Sequence, residues 1–546
     1  MRRFLNLLVA LLLLSTAASA QVTVTPQPGA DSVRVVDLIY ADKIRLETVD
    51  TTVDLQILVG KVHLKQGKTH FFGDSVIYNK KTRIVEAFGH VHINDADSIH
   101  TYADKLLYYV DTKKAILTNN ARLTDGKSTL TTNELHYDSN EKIGEYFNGG
   151  KVVNSKSVLT SKEATYYGDL KDVYFKKEVV LIDPAYQLRS DSLLYNTNTE
   201  VTTFITKTYI KDSSQREIET KEGFYDLKNK KAEFGKRPTM IDAKARTRTT
   251  ADFVDINDST GITTLTGRAV HVDSVQSVSV LANYMWVNKK DETFFATQNP
   301  LMIIKQDKDS IYVTADTLYS GRLSKLKVLT RTDSSTGKLD TIKGAITLNV
   351  KEKPKNDSAD RYFQGYHHVR IFSDSLQAVS DSMFYSGADS VFQLFTDPIA
   401  WANNSQITGD TMYLYTKDKK PSRLYVFENG FAVNKVGKDM YNQLRGNRMN
   451  GYFVDGNIDY MRSKGNAESV FYVMDEDSAL VGVNKAEGDI IDLRFLNKEL
   501  NKVVVISEPK ATMFPAKQTT EQDKLLRNFR WLEARRPKTK FELFGN

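Results

Sequence analysis

Cysteine is absent from all 546 residues. That excludes a disulfide framework, a thiolate metal site and a lipid-modified cysteine behind a signal segment. Proline is scarce, at 11 in the chain, which leaves room for long uninterrupted strands. Beyond Leu14 no apolar run approaches the ~18 residues that a membrane-spanning helix needs. Neither charge prevails: 75 basic and 68 acidic residues are mixed along the chain, for a net +7, or +5 without Arg2 and Arg3. With no basic stripe, nucleic acid is not expected as a partner. Gly-x-Ser-x-Gly and glycine-rich phosphate loops are missing as well.

What is present begins with Arg2 and Arg3, an apolar run from Phe4 to Leu14, and Ala18-Ser19-Ala20. This pattern reads as a cleavable secretory signal over residues 1–20, and implies a soluble mature protein in an extracytoplasmic space. Then a phrase recurs: small residue–Asp–x–apolar–x–Tyr. It reads Gly73-Asp74-Ser75-Val76-Ile77-Tyr78, Ala103-Asp104-Lys105-Leu106-Leu107-Tyr108, Ser190-Asp191-Ser192-Leu193-Leu194-Tyr195 and Ser380-Asp381-Ser382-Met383-Phe384-Tyr385. Weaker copies end at Tyr137, Tyr166 and Tyr225, so the steps from Tyr78 to Tyr225 are 30, 29, 29, 29 and 30 residues. A period held this closely predicts one supersecondary unit stacked many times.

With the Asp as position zero, the +2 and +4 residues share one face of a strand. The +2 slot holds Val76, Leu106, Leu135, Leu193, Val254, Leu318, Met383, Met412 and Met449. The +4 slot is read as Tyr78, Tyr108, Tyr137, Tyr166, Tyr195, Tyr225, Ile256, Trp286 and Tyr385. Polar turns such as Asn79-Lys80-Lys81-Thr82 follow, and a second strand climbs out through Gly and a Val-x-apolar pair, as in Gly89-His90-Val91-His92-Ile93. The fold class is therefore all-β: antiparallel strands in an elongated two-sheet stack of ~30-residue repeats, a rod on the order of 100–150 Å at ~4.8 Å per strand. Residues 21–40 read as a flexible leader, 41–330 and 361–515 as repeats, and 331–360 as a loop-rich insertion. In the tail, 516–546, Leu525, Phe529 and Leu532 are spaced for one short amphipathic helix that would cap the last sheet edge.

Chemistry finds little purchase. His63 and His92 occupy the same repeat slot, which Arg122 fills in the next copy, so the slot reads as solvated and no metal site is expected. The recurring Asp gives way to Asn133 and Asn447 and suits a bend better than a calcium ligand. No carboxylate pair stands out from the repeats, so neither catalysis nor a cofactor is expected. The apolar stripe has two readings: the packed core of a structural or adhesive solenoid, or a trough between splayed sheets that takes acyl chains.

The units Ala41-Asp42-Lys43-Ile44 … Gly60-Lys61-Val62-His63-Leu64 and those containing Asp74 and Asp104 resemble the LptA/OstA family. The stretch Gly465-Asn466-Ala467-Glu468-Ser469-Val470-Phe471-Tyr472 … Gly482-Val483-Asn484-Lys485 resembles the long OstA-like proteins of the Bacteroidetes. The resemblance spans about residues 35–515. It implies a V-shaped β-jellyroll, or β-taco, in the periplasm. Its apolar groove, lined here by the +2 and +4 residues, would carry the lipid A part of lipopolysaccharide from an inner-membrane exporter complex to an outer-membrane translocon. Edge-to-edge strand pairing with partner jellyrolls is a natural docking mode. The chain is much longer than the short family members and has no C-terminal barrel.

Overall fold

A computed structural model describes residues 35–544, apart from 50–52, 306–309, 327–330, 333–338, 341–359, 418–419, 455–456, 476, 478 and 497–498. The expected signal, most of the leader and most of the loop-rich insertion lie outside the described residues. Strands are antiparallel throughout, and no α-helix occurs among the described residues. The chain divides into two compact units: residues up to 155 with 162–171, and residues 156–161 with 172 onward.

In the first unit each strand pairs with the next through hairpin turns: Asp54–Gln66, Thr69–Asn79, Ile84–Asp95, Ile99–Tyr109, Lys114–Thr124 and Ser128–Asp138. The β structure starts within the expected leader, where Asp37–Tyr40 pairs with Asp54–Gln66. Every second long strand carries a bulge at its middle, opposite a single residue of its neighbours. Val59 faces Ser75 and Val62 faces Gly73, so Gly60 and Lys61 together stand opposite Asp74. Two residues against one make a bulge, and a bulge bends its strand. The bent pair takes positive φ at Gly60 and Lys61 (85° and 43°), Gly89 and His90 (72° and 42°), and Asn119 and Asn120 (63° and 52°). Gly and Asn tolerate this region best, which explains the glycine in the Gly-x-Val phrase.

The recurring Asp holds this elbow, which is why it recurs. Asp42 and Asp252 donate their backbone N–H groups to the elbow carbonyls of Gly60 and Gly267 at 3.0 and 2.8 Å. Side chains add a second tie at 2.8 Å between Asp74 and His90, and at 2.8 Å from Asn120 to Asp104. In the second unit the same arrangement joins Asp316 to His368 and Asp410 to Asn429, each at 2.9 Å. Each strand thus has two arms meeting at an elbow, and the +2 and +4 slots face the arm opposite.

The tail departs from expectation. Residues 525–532 form no helix; only 3-10 turns occur, at Glu533–Arg535 and Lys540–Phe544. The tail runs back as a strap over the outer face of the C-terminal strands. Leu526 packs on Phe431, Val433, Val470, Tyr472 and Val483, and Leu532 on Val379, Ile399 and Trp401. The matching outer positions in the first unit are His63, Lys65, His92 and Arg122. In the C-terminal strands this layer turns apolar where the strap covers it.

Buried glutamines fasten the strap. Gln443 donates to the Lys524 carbonyl and accepts from Leu526 N–H, both at 2.8 Å. Gln406 does the same with the Arg530 carbonyl at 2.9 Å and Leu532 N–H at 2.6 Å. Gln377 accepts from Arg536 at 2.6 and 2.8 Å. Replacing Gln443 or Gln406 by leucine leaves strap backbone groups without partners, at about 1–3 kcal/mol each. In native-state hydrogen exchange, Gln443→Leu should expose the Leu526 amide and Gln406→Leu the Leu532 amide. Unchanged protection would show that the glutamines do not hold the strap.

Candidate functional site

Within each unit the +2 and +4 residues form the interior between the arms. Leu106, Leu135, Leu193, Tyr195 and Met412 have no exposed surface, and Val76, Tyr108, Tyr137, Tyr166, Tyr225, Val254, Ile256, Leu318, Met383 and Met449 are buried. Tyr78 and Tyr385 are half-buried. Trp286 is misplaced in the sequence reading. Asn283 holds position zero of its unit, so Met285, with no exposed surface, fills the +2 slot and Val287 the +4 slot. Trp286 stands on the outer face, stacked 5.5 Å from Phe295.

The far ends of the arms are tied together across this interior. The Tyr108 hydroxyl donates to Gln66 Oε1 at 2.5 Å, and Gln66 Nε2 donates to the Val110 carbonyl at 3.1 Å. Tyr137 donates to Asp95 Oδ2 at 2.6 Å, and Thr69 to its other oxygen at 2.9 Å. Tyr166 donates to Asp125 Oδ2 at 2.9 Å. Each tyrosine lies beside the turn ending one arm, and each acceptor beside the turn ending the other. The +4 tyrosines are therefore latches as well as core residues, and they close the mouth of the V in the first unit.

Latch chemistry shows in the protonation equilibria. Burial, and then Asp95, push the Tyr137 hydroxyl well above its ordinary 10.0. Burial does the same for Tyr108 and Tyr166, the latter with help from Asp125. Burial also pushes the Asp125 carboxyl up, but hydrogen bonds from Ser128 N–H, the Tyr166 hydroxyl and Lys127 N–H, with the Lys171 charge, outweigh it and hold the group below the carboxylate range.

In the second unit Arg216 and Asp212 form a buried pair at 2.5 Å, and Tyr225 donates to Asp258 at 3.3 Å. Burial and the Arg216 charge lower the nearby Lys289 ammonium. The sequence reading missed the acceptors, although Gln66, Asp95 and Asp125 recur 29 and 30 residues apart, the period of the tyrosines. That second column was the available signal.

Among the described residues of the first unit, the interior is exposed at Ile44 and Leu46. The phrase of Asp42 puts Ile44 and Leu46 in the +2 and +4 slots, yet they are 54% and 65% exposed. Their strand, Lys43–Thr48, pairs with Asp54–Gln66 on one side and with no described residue on the other. Elsewhere a hollow of ≈ 790 Å³ beneath the end of the strap, lined by residues including Arg370, Asp381, Arg535 and Phe541, stands apart from the column. No helix among the described residues is long and apolar enough to cross a membrane, and no group of three or more His, Asp or Glu there is placed to hold a metal.

These features define a class: all-β repeat proteins with an apolar column enclosed between two arms. Residues 34–191 match the model of a family described as OstA-like protein. Among solved structures it is similar to LptH, the LptA homologous periplasmic component of the conserved lipopolysaccharide transport device from Pseudomonas aeruginosa. The identity is 21%, over 21% of this chain and 83% of that one, with a TM-score of 0.18. No curated protein matches the chain.

Two measurements test the latches. Tyr137→Phe deprives buried Asp95 of a donor and should cost about 1.5–3 kcal/mol in urea unfolding at neutral pH; an unchanged midpoint would mean the contact holds nothing. Because the latch hydroxyls are raised above their unfolded value, the stability they give is whole below about pH 10 and falls as pH rises past it. A stability profile that stays level above that pH contradicts the assignment.

Proposed function

We propose that this chain is a non-enzymatic periplasmic carrier of lipopolysaccharide, holding the acyl chains of lipid A between its arms while sugars and phosphates remain in water. One observation carries the reading: within an OstA-like stretch, equivalent apolar slots follow one another at a single period and emerge at Ile44 and Leu46. Equivalent slots give cargo similar energy at each step, so it can move along them without deep traps. Such a column supplies no direction. Direction would come from the inner-membrane exporter complex, with delivery to the outer-membrane translocon, and no cofactor is needed. The unpaired edge of Lys43–Thr48 suits strand addition by a partner jellyroll.

Closure favours a second reading. Leu106, Leu135 and Leu193 have no exposed surface, as the dry core of a structural envelope solenoid would require. In the carrier reading, acyl chains part the tyrosine latches and take the place of the contacts between the arms.

In-cell photo-crosslinking separates the two. A photoreactive residue at Leu46 or Leu106 should give lipopolysaccharide adducts, and one at outward-facing Leu107 none. Absence of adducts at both inward positions, in protein that accumulates normally, would leave the structural reading.

A further inference from the structure

The outer face of the first unit carries a feature that the carrier reading does not use. On neighbouring strands His63 faces Phe72, Phe72 faces His92, His92 faces Tyr102, and Tyr102 faces Arg122. Rings stack along this row: His63 on Phe72 at 4.4 Å, Phe72 on His92 at 5.3 Å, and His92 on Tyr102 at 4.5 Å with 4° between planes. The Arg122 guanidinium lies 4.2 Å over Tyr102 and ends the row. A row packed this way fixes the plane of each imidazole before any ligand arrives.

Each histidine of the row meets another across its hairpin. His63 Nε2 lies 2.8 Å from His70 Nδ1, and His92 Nε2 lies 3.1 Å from His100 Nδ1. The same diagonal pair thus occurs twice, one repeat apart, and all four rings are half-buried. An N···N hydrogen bond needs one lone pair, so at least one imidazole of each pair is neutral. Burial, the partner ring, and Lys65 or Arg122 hold His63 and His92 below their ordinary protonation range.

The spacing selects a geometry. Two nitrogens at about 2.0 Å from a metal lie ~2.8 Å apart at a 90° angle and ~3.3 Å apart in a tetrahedron. The observed 2.8 Å matches the right angle of tetragonal Cu²⁺ or Ni²⁺, and 3.1 Å falls between the two arrangements. We propose that His63 with His70, and His92 with His100, form two adjacent two-imidazole sites for a tetragonal divalent cation, with water completing its coordination. On binding, the donor ring moves its proton to its other nitrogen, so a neutral pair releases no net proton.

Calorimetric titration of the untagged mature chain with NiCl₂, CuCl₂ and ZnCl₂, each separately, tests this. The expected stoichiometry is close to two metals per chain. His70→Asn should leave one site, and His70→Asn with His100→Asn should leave none. His136→Asn, outside both pairs, should retain two, and circular dichroism with thermal melting verifies that each variant folds. The proposal is overturned by no binding of either metal to the parent chain, or by a stoichiometry the double variant does not change. A tenfold preference for Zn²⁺ over both other ions would overturn the assigned geometry.

Discussion

Everything in this protein hangs from the elbow at the middle of each strand. A bulge commits its strand to bend, and neighbouring strands can stay hydrogen-bonded only if their own bends fall level with it. That requirement fixes the number of residues between bends, and so imposes the 29- to 30-residue period seen from Tyr78 to Tyr225. The Asp of the phrase answers the same need, because its N–H and carboxylate tie one elbow to the next. Bending then brings the arms face to face, and the residues at +2 and +4 become an interior without any further instruction.

An interior made this way has two uses, and the tyrosines set the balance between them. Each latch joins a hydroxyl to an acceptor at the end of the other arm, so widening the interior breaks discrete hydrogen bonds rather than stretching a continuous surface. Opening can then proceed repeat by repeat, each step opposed by one latch and by the contacts of a few side chains. Local opening of this kind costs far less than unfolding the unit.

The sequence displayed the fold's period, its strand phrase and most of its interior column. Those signals survive because every repeat meets the same constraint. Trp286 was assigned to the wrong face because its unit carries Asn283 in place of Asp, which moved the count by one residue. Leu525, Phe529 and Leu532 suggested a helix because their spacing fits one, but Val433, Val470, Ile399 and Trp401 supply an apolar surface that an extended strap covers better. No local pattern reports a partner some hundred residues away, as in the link from Gln406 to Leu532. The latch acceptors and the histidine pairs were hidden for a related reason: their partners lie in other strands, and spacing along the chain does not say which turns bring them together.

The strap also orders events in time. Trp401, Phe431, Val433 and Tyr472 depend for cover on residues far along the chain, at Leu526 and Leu532. Until Leu526 and Leu532 dock, the strands beneath them present an apolar face. The finished molecule hides that face. A chain cut before Leu526 keeps displaying it, so loss of the strap is legible on the surface.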